Sequence, residues 1–167
     1  MRAALALVVL AGCSSVREGN PTTFEDLSLW VPYGWQAREV PSPVARHAME
    51  WTPSDNEAKE SLTLLRTEPR AAFAQHGATA IAPYLAQAQA QLPRASFAAP
   101  QPFASQHGLR GVRIEGQFVP PGQTVPYRRL HAIVPVDDHL LHVIYTAREP
   151  DREAFDLVLD TLQKRGG

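Results

Sequence analysis

The chain has 167 residues, one cysteine, and 16 basic against 17 acidic side chains, for a net charge of −1. That length suits one domain with a core of its own. The near-balance of charge excludes an electrostatic grip on nucleic acid or anionic lipid, and a single cysteine excludes both an internal disulfide and a multi-cysteine metal site.

In chain order, Arg2 is followed by an uncharged apolar run from Ala3 to Leu10 and then by Ala11-Gly12-Cys13. The run is too short to span a bilayer, which takes about 20 apolar residues. A basic start, a short apolar core and small residues before a cut site describe a secretory signal peptide. Leu10-Ala11-Gly12-Cys13 resembles the lipobox of bacterial lipoproteins. The resemblance implies that residues 1–12 are removed after recognition of Leu10, Ala11 and Gly12. Cys13 is then lipidated by fatty acyl chains such as palmitate. Two or three acyl chains, at about 0.8 kcal/mol per buried methylene, make a stable membrane anchor. The expected location is the bacterial cell envelope, with the domain on the periplasmic side. Ser14, rather than Asp, after the cysteine favours the outer membrane. Residues 13–23 (CSSVREGNPTT) are small and polar and read as a flexible tether.

A single domain is expected over residues 24–167. Leu27, Leu29 and Val31 alternate with polar or aromatic neighbours over Phe24–Val31, a strand pattern that stops at Pro32-Tyr33-Gly34-Trp35. Val44–Trp51 and Ser61–Thr67 read as the next two strands. Over residues 79–92 the period changes. Ile81, Tyr84, Leu85, Ala88 and Leu92 share one helical face, and Pro93 ends it. Phe97–Ser105 is a weaker strand. Leu109–Val119, Val125–Val136 and His139–Ala147 are stronger ones, the last two joined by a tight turn at Asp137-Asp138. A final helix begins at Pro150, buries Phe155, Val158, Leu159 and Leu162, and runs to Gly166, with Lys164 and Arg165 suiting its negative end. The order predicts an α+β domain: a largely antiparallel sheet of about six to seven strands with helices packed on it.

An early strand ending in Val31-Pro32-Tyr33-Gly34-Trp35, a middle helix, a meander and a last helix with Phe155 and Leu162 together resemble the PsbP-like α-β-α sandwich, including envelope lipoproteins of the DcrB and LpqN types. The resemblance implies non-catalytic binding to another protein of the envelope. A fold by itself is a weak guide to function.

Five residues of the meander are candidate ligands. With the turn centred on Gly122, Glu115 is expected opposite Arg129 and Arg113 opposite His131. Across the Asp137-Asp138 turn, His142 lies opposite Ile133 and diagonal to His131. Arg113, Glu115, Arg129, His131 and His142 then share one half-solvated face. Leu130, Ala132, Val134, Leu141, Val143 and Tyr145 form the buried one. Arg113, Arg129 and His131 could hold a small anion. His131, His142 and Glu115 could hold zinc for a hydrolytic reaction, but the two arginines oppose a divalent cation, and cross-strand ion pairs account for the same residues. Trp30, Tyr33, Trp35 and Trp51 could line an apolar groove or plug the core. Asp137-Asp138 starts no calcium-loop series and reads as a turn. His47, His76 and His107 stand alone. The chain has no nucleophile elbow, no His-Glu-x-x-His helix and no Walker or dinucleotide glycine loop. The expectation is therefore a protein that is not an enzyme, needs no cofactor or metal, and contacts the membrane through Cys13 and an envelope partner through its domain.

Overall fold

The computed structural model of the chain describes residues 19–55, 59–67 and 94–166, with 90 and 92 between them. The lipobox and the helix expected over 79–92, apart from 90 and 92, lie outside the described residues.

Among the described residues eleven strands are formed: β1 Gly19–Phe24, β2 Leu27–Pro32, β3 Trp35–Glu39, β4 His47–Pro53, β5 Ser61–Thr67, β6 Ser96–Phe97, β7 Gln101–Ala104, β8 Arg110–Phe118, β9 Tyr127–Val136, β10 His139–Ala147 and β11 Gln163–Lys164, with one described helix, α1 Arg152–Thr161, before the last. β1, β2 and β11 make a small sheet in the order β1-β2-β11. The others make a large one in the order β3-β4-β5-β10-β9-β8-β6, with β7 also beside β8. All pairings are antiparallel.

This corrects the α+β expectation. The described residues form a mostly antiparallel β structure of two sheets with one ten-residue helix, not one six- or seven-stranded sheet covered by helices. The strands missing from the sequence reading are those without an apolar alternation. β3 buries no side chain fully, and β1 buries only its two ends. Residues 19–23, read as tether, are held by backbone pairing to β2, with Pro21 opposite Trp30. The last helix is also shorter than its apolar stripe. Leu162 caps it in an extended conformation, and Gln163 and Lys164 turn away to pair with Ser28 and Leu27.

The core lies between the sheets. Leu27, Leu29 and Val31 of β2 and Phe155, Val158, Leu159 and Leu162 at the helix meet Leu130, Ala132 and Val134 of β9 and Leu141, Val143 and Tyr145 of β10 in one buried cluster. The meander's buried face is therefore the one expected. Across β9 and β10 the pairing is also as read: Val136 opposes His139 around a two-residue turn, and His142 opposes Ile133. Asp137 takes a positive φ of 46° there, which an Asp tolerates and tight hairpins need. Among the described residues no helix is long and apolar enough to cross a membrane.

Candidate functional site

The turn between β8 and β9 closes one residue away from the expected position. Phe118 opposes Tyr127, which sets Ile114 opposite His131, Arg113 opposite Ala132, Glu115 opposite Leu130 and Gly116 opposite Arg129. A shift of one residue moves a strand's whole side-chain set to the other face. The five candidates are accordingly split. His131, His142 and Arg129 lie on one face of the large sheet. Arg113 and Glu115 lie on the other, beside α1. The Arg113–Arg129–His131 anion set and the His131–His142–Glu115 zinc set are therefore not assembled.

Each half has its own chemistry. His131 and His142 are 6 % and 0 % exposed. His131 Nε2 and His142 Nδ1 are 3.0 Å apart, and His142 Nε2 is 3.0 Å from Thr67 Oγ1, a chain in which each gap holds one hydrogen. Burial lowers both imidazoles, His142 to about 4 and His131 well below its ordinary value, with the His142 and Arg129 charges adding to the effect on His131. Both rings are thus neutral at pH 7. The Arg129 guanidinium lies 4.9 Å over the Phe118 ring. On the other face, Glu115 takes a two-pronged ion pair from Arg152 at the start of α1. That pair holds the Glu115 carboxyl below its usual value. Arg113 reaches Asp156 one helical turn on, at 3.7 Å. The two arginine–carboxylate pairs fasten α1 to β8.

Beside that seam is a cleft of about 320 Å³ lined by Ser96, Glu115, Gln117, Arg128, Pro150 and Arg152. No spacing in the sequence links Arg128 on a meander strand to Arg152 at a helix start, so only the fold brings them together. Pairing of Arg152 with Glu115 offsets half the cleft's positive charge, so the cleft is polar rather than strongly anion-selective.

The aromatic set also divides. Trp51 is buried in the core, and Trp35 leans on it with its ring 5.9 Å from that of Tyr145. Trp30 and Tyr33 are 43 % and 56 % exposed. They sit on the outer face of β2 and in the turn after it, three residues apart. His47 stacks on Phe24 and meets Glu25, so it is not isolated. His107 is exposed, and His76 lies outside the described residues.

The split cluster, the two-sheet core and the single C-terminal helix are set in the PsbP-like fold. The chain is similar, at a TM-score of 0.65 and 12 % identity, to the solution structure of cyanobacterial PsbP from Synechocystis sp. PCC 6803, covering 93 % of this chain and 98 % of that one. It is also similar to LpqN of Mycobacterium tuberculosis, described as involved in cell envelope biogenesis (TM-score 0.50, 12 % identity, 89 % of this chain and 86 % of that one). A third likeness is to a Pseudomonas aeruginosa protein of unknown function described as a putative regulator (TM-score 0.53, 20 % identity, 89 % and 99 %). No protein-family model and no curated protein matches the chain. At these identities the likeness is one of fold.

Proposed function

We propose that this protein is an envelope lipoprotein, anchored through Cys13, whose PsbP-like domain binds another envelope protein without catalysing a reaction. The observation that carries the reading is the exposure of Trp30 and Tyr33, large apolar side chains that a monomer gains nothing by leaving in water. The lipobox Leu10-Ala11-Gly12-Cys13 and the likeness to LpqN, described as involved in cell envelope biogenesis, support the location. The lack of a convergent nucleophile–base pair in the meander supports the non-catalytic part.

Native mass spectrometry of the intact protein, gently extracted from its own envelope, tests the binding. The expected mass is the acylated chain plus a second polypeptide, and a Trp30→Ala/Tyr33→Ser double variant loses that polypeptide while melting like the parent. A complex that survives the double change, or a chain that carries only a small molecule, overturns the reading. The anchor is tested separately: Cys13→Ser abolishes acyl labelling, and normal labelling of that variant removes the lipobox from the argument.

A further inference from the structure

At one end of the molecule, two tight turns from different sheets come together. Glu25 and Asp26 form the β1–β2 turn of the small sheet, and Asp137 and Asp138 the β9–β10 turn of the large one. His139 follows directly and is only 4 % exposed. One oxygen of Glu25, one of Asp26 and one imidazole nitrogen of His139 all lie within 4.8 Å of one another. Donors bound to a common ion at ~2.1 Å stand about 3–4 Å apart, so a small inward movement closes the set.

Two further features bear on what could sit there. Asp26 Oδ1 is buried and has no hydrogen-bond donor. A buried carboxylate oxygen without a hydrogen-bond donor costs free energy that a bound cation would offset. Four carboxylates also gather around it. Glu25 accepts from Arg66 Nη1 at 2.6 Å and lies 3.2 Å from His47 Nδ1. Arg66 also reaches Asp138 at 3.6 Å, and Lys164 pairs with Asp137. Glu25, Asp26, Asp137 and Asp138 thus share this end with the Arg66 and Lys164 cations. His139 Nδ1 lies 3.2 Å from Asp138 Oδ1.

We propose that Glu25, Asp26 and His139 bind a borderline divalent cation of the zinc class, which clips the small sheet to the large one. One imidazole with two carboxylates suits such an ion better than calcium or magnesium, which prefer all-oxygen shells. The neighbouring Arg66 keeps the affinity moderate. The site is independent of the anchor and of the Trp30–Tyr33 surface.

The test strips the full-length protein with a chelator and titrates it with zinc against a chromophoric competitor, with a thermal melt of each sample. One zinc per chain is expected, with Kd at or below ~10 μM and a Tm that rises with zinc concentration. Asp26→Asn keeps the shape of the turn and should melt like the parent without metal, yet bind zinc at least tenfold more weakly. His139→Gln gives the same loss from the other turn. Calcium at the same concentration leaves Tm unchanged. No saturable binding tighter than ~100 μM, or affinity undiminished by both substitutions, overturns the proposal and leaves an adventitious ion only.

Discussion

The paired imidazoles of His131 and His142 sit where the ordinary meander would place Val or Ile, and their cost shows as pH dependence. In the folded chain both are held neutral, while in the unfolded chain each takes a proton near its ordinary value of about 6.5. A lowered folded pKa means that the unfolded state binds more protons below that value, so stability falls as pH drops from about 6.5 toward 4. His142 alone removes about 2 kcal/mol by pH 5. Urea unfolding at pH 7.5 and pH 5 measures it, and His142→Gln flattens this part of the profile. Equal stability at the two pH values would mean that the pair is charged or open to solvent. Tyr145 makes a different kind of polar contact. Its hydroxyl donates to Glu60 at 3.1 Å and accepts from the Asp151 backbone N–H at 3.3 Å, while burial raises its own pKa. Tyr145→Phe removes both bonds and is expected to cost about 1 kcal/mol in denaturant unfolding.

At the scale of the element, α1 shows how a short helix is kept. Asp151 Oδ1 accepts from the backbone N–H groups of Glu153 and Ala154, and the buried stripe faces the core. Asp151→Ala is expected to lower stability by about 1 kcal/mol, read as a Tm drop of a few degrees. Glu115–Arg152 and Arg113–Asp156 are half exposed and are worth only a few tenths of a kcal/mol each. Glu115→Gln should therefore change stability little, and less still in high salt. Gly111 is a position of close approach. A Cβ there would run into the Ile133 carbonyl of β9, with the Phe103 ring 2.9 Å away on the other strand. Gly111→Ala must move backbone rather than a side-chain tip, and about 2 kcal/mol or more is expected.

Over the whole molecule, stability rests on the interior between the two sheets, since one cysteine forms no internal crosslink. Leu141 is fully buried at its centre, and Leu141→Ala is expected to cost about 3 kcal/mol through lost contacts and a residual cavity. The same closure of one sheet on another brings the Glu25-Asp26 and Asp137-Asp138 turns to one end of the protein. It also leaves the outer face of β2, with Trp30, turned to solvent. Core and surfaces thus follow from one arrangement: β2 buries Leu27, Leu29 and Val31 inward, so Trp30 points out.

Where a strand buries one face, its alternation is written in the residues. β5 was legible from period two and the Asp137-Asp138 hairpin from its two-residue turn, which also placed β9 and β10 although both bury side chains on two faces. The stripe of α1 was legible for the same reason at period 3.6. The turn from β8 to β9 was not. Residues 119–126 are long enough to close in more than one register, and the choice is made by which faces pack, Ile114 and Val112 against Phe97 rather than Arg113 and Glu115. That choice split the five candidate residues. The pairing of β1, β3 and β11 was equally hidden, because backbone hydrogen bonds to a neighbour leave no mark on side-chain pattern. The residues alone determined the charge balance, the lipobox-like pattern Leu10-Ala11-Gly12-Cys13 as an expectation, and the core-facing sets of β9 and β10. The tertiary structure alone decided the second sheet, the meeting of Glu25, Asp26 and His139, and the exposure of Trp30, since each depends on contacts between segments far apart in the chain.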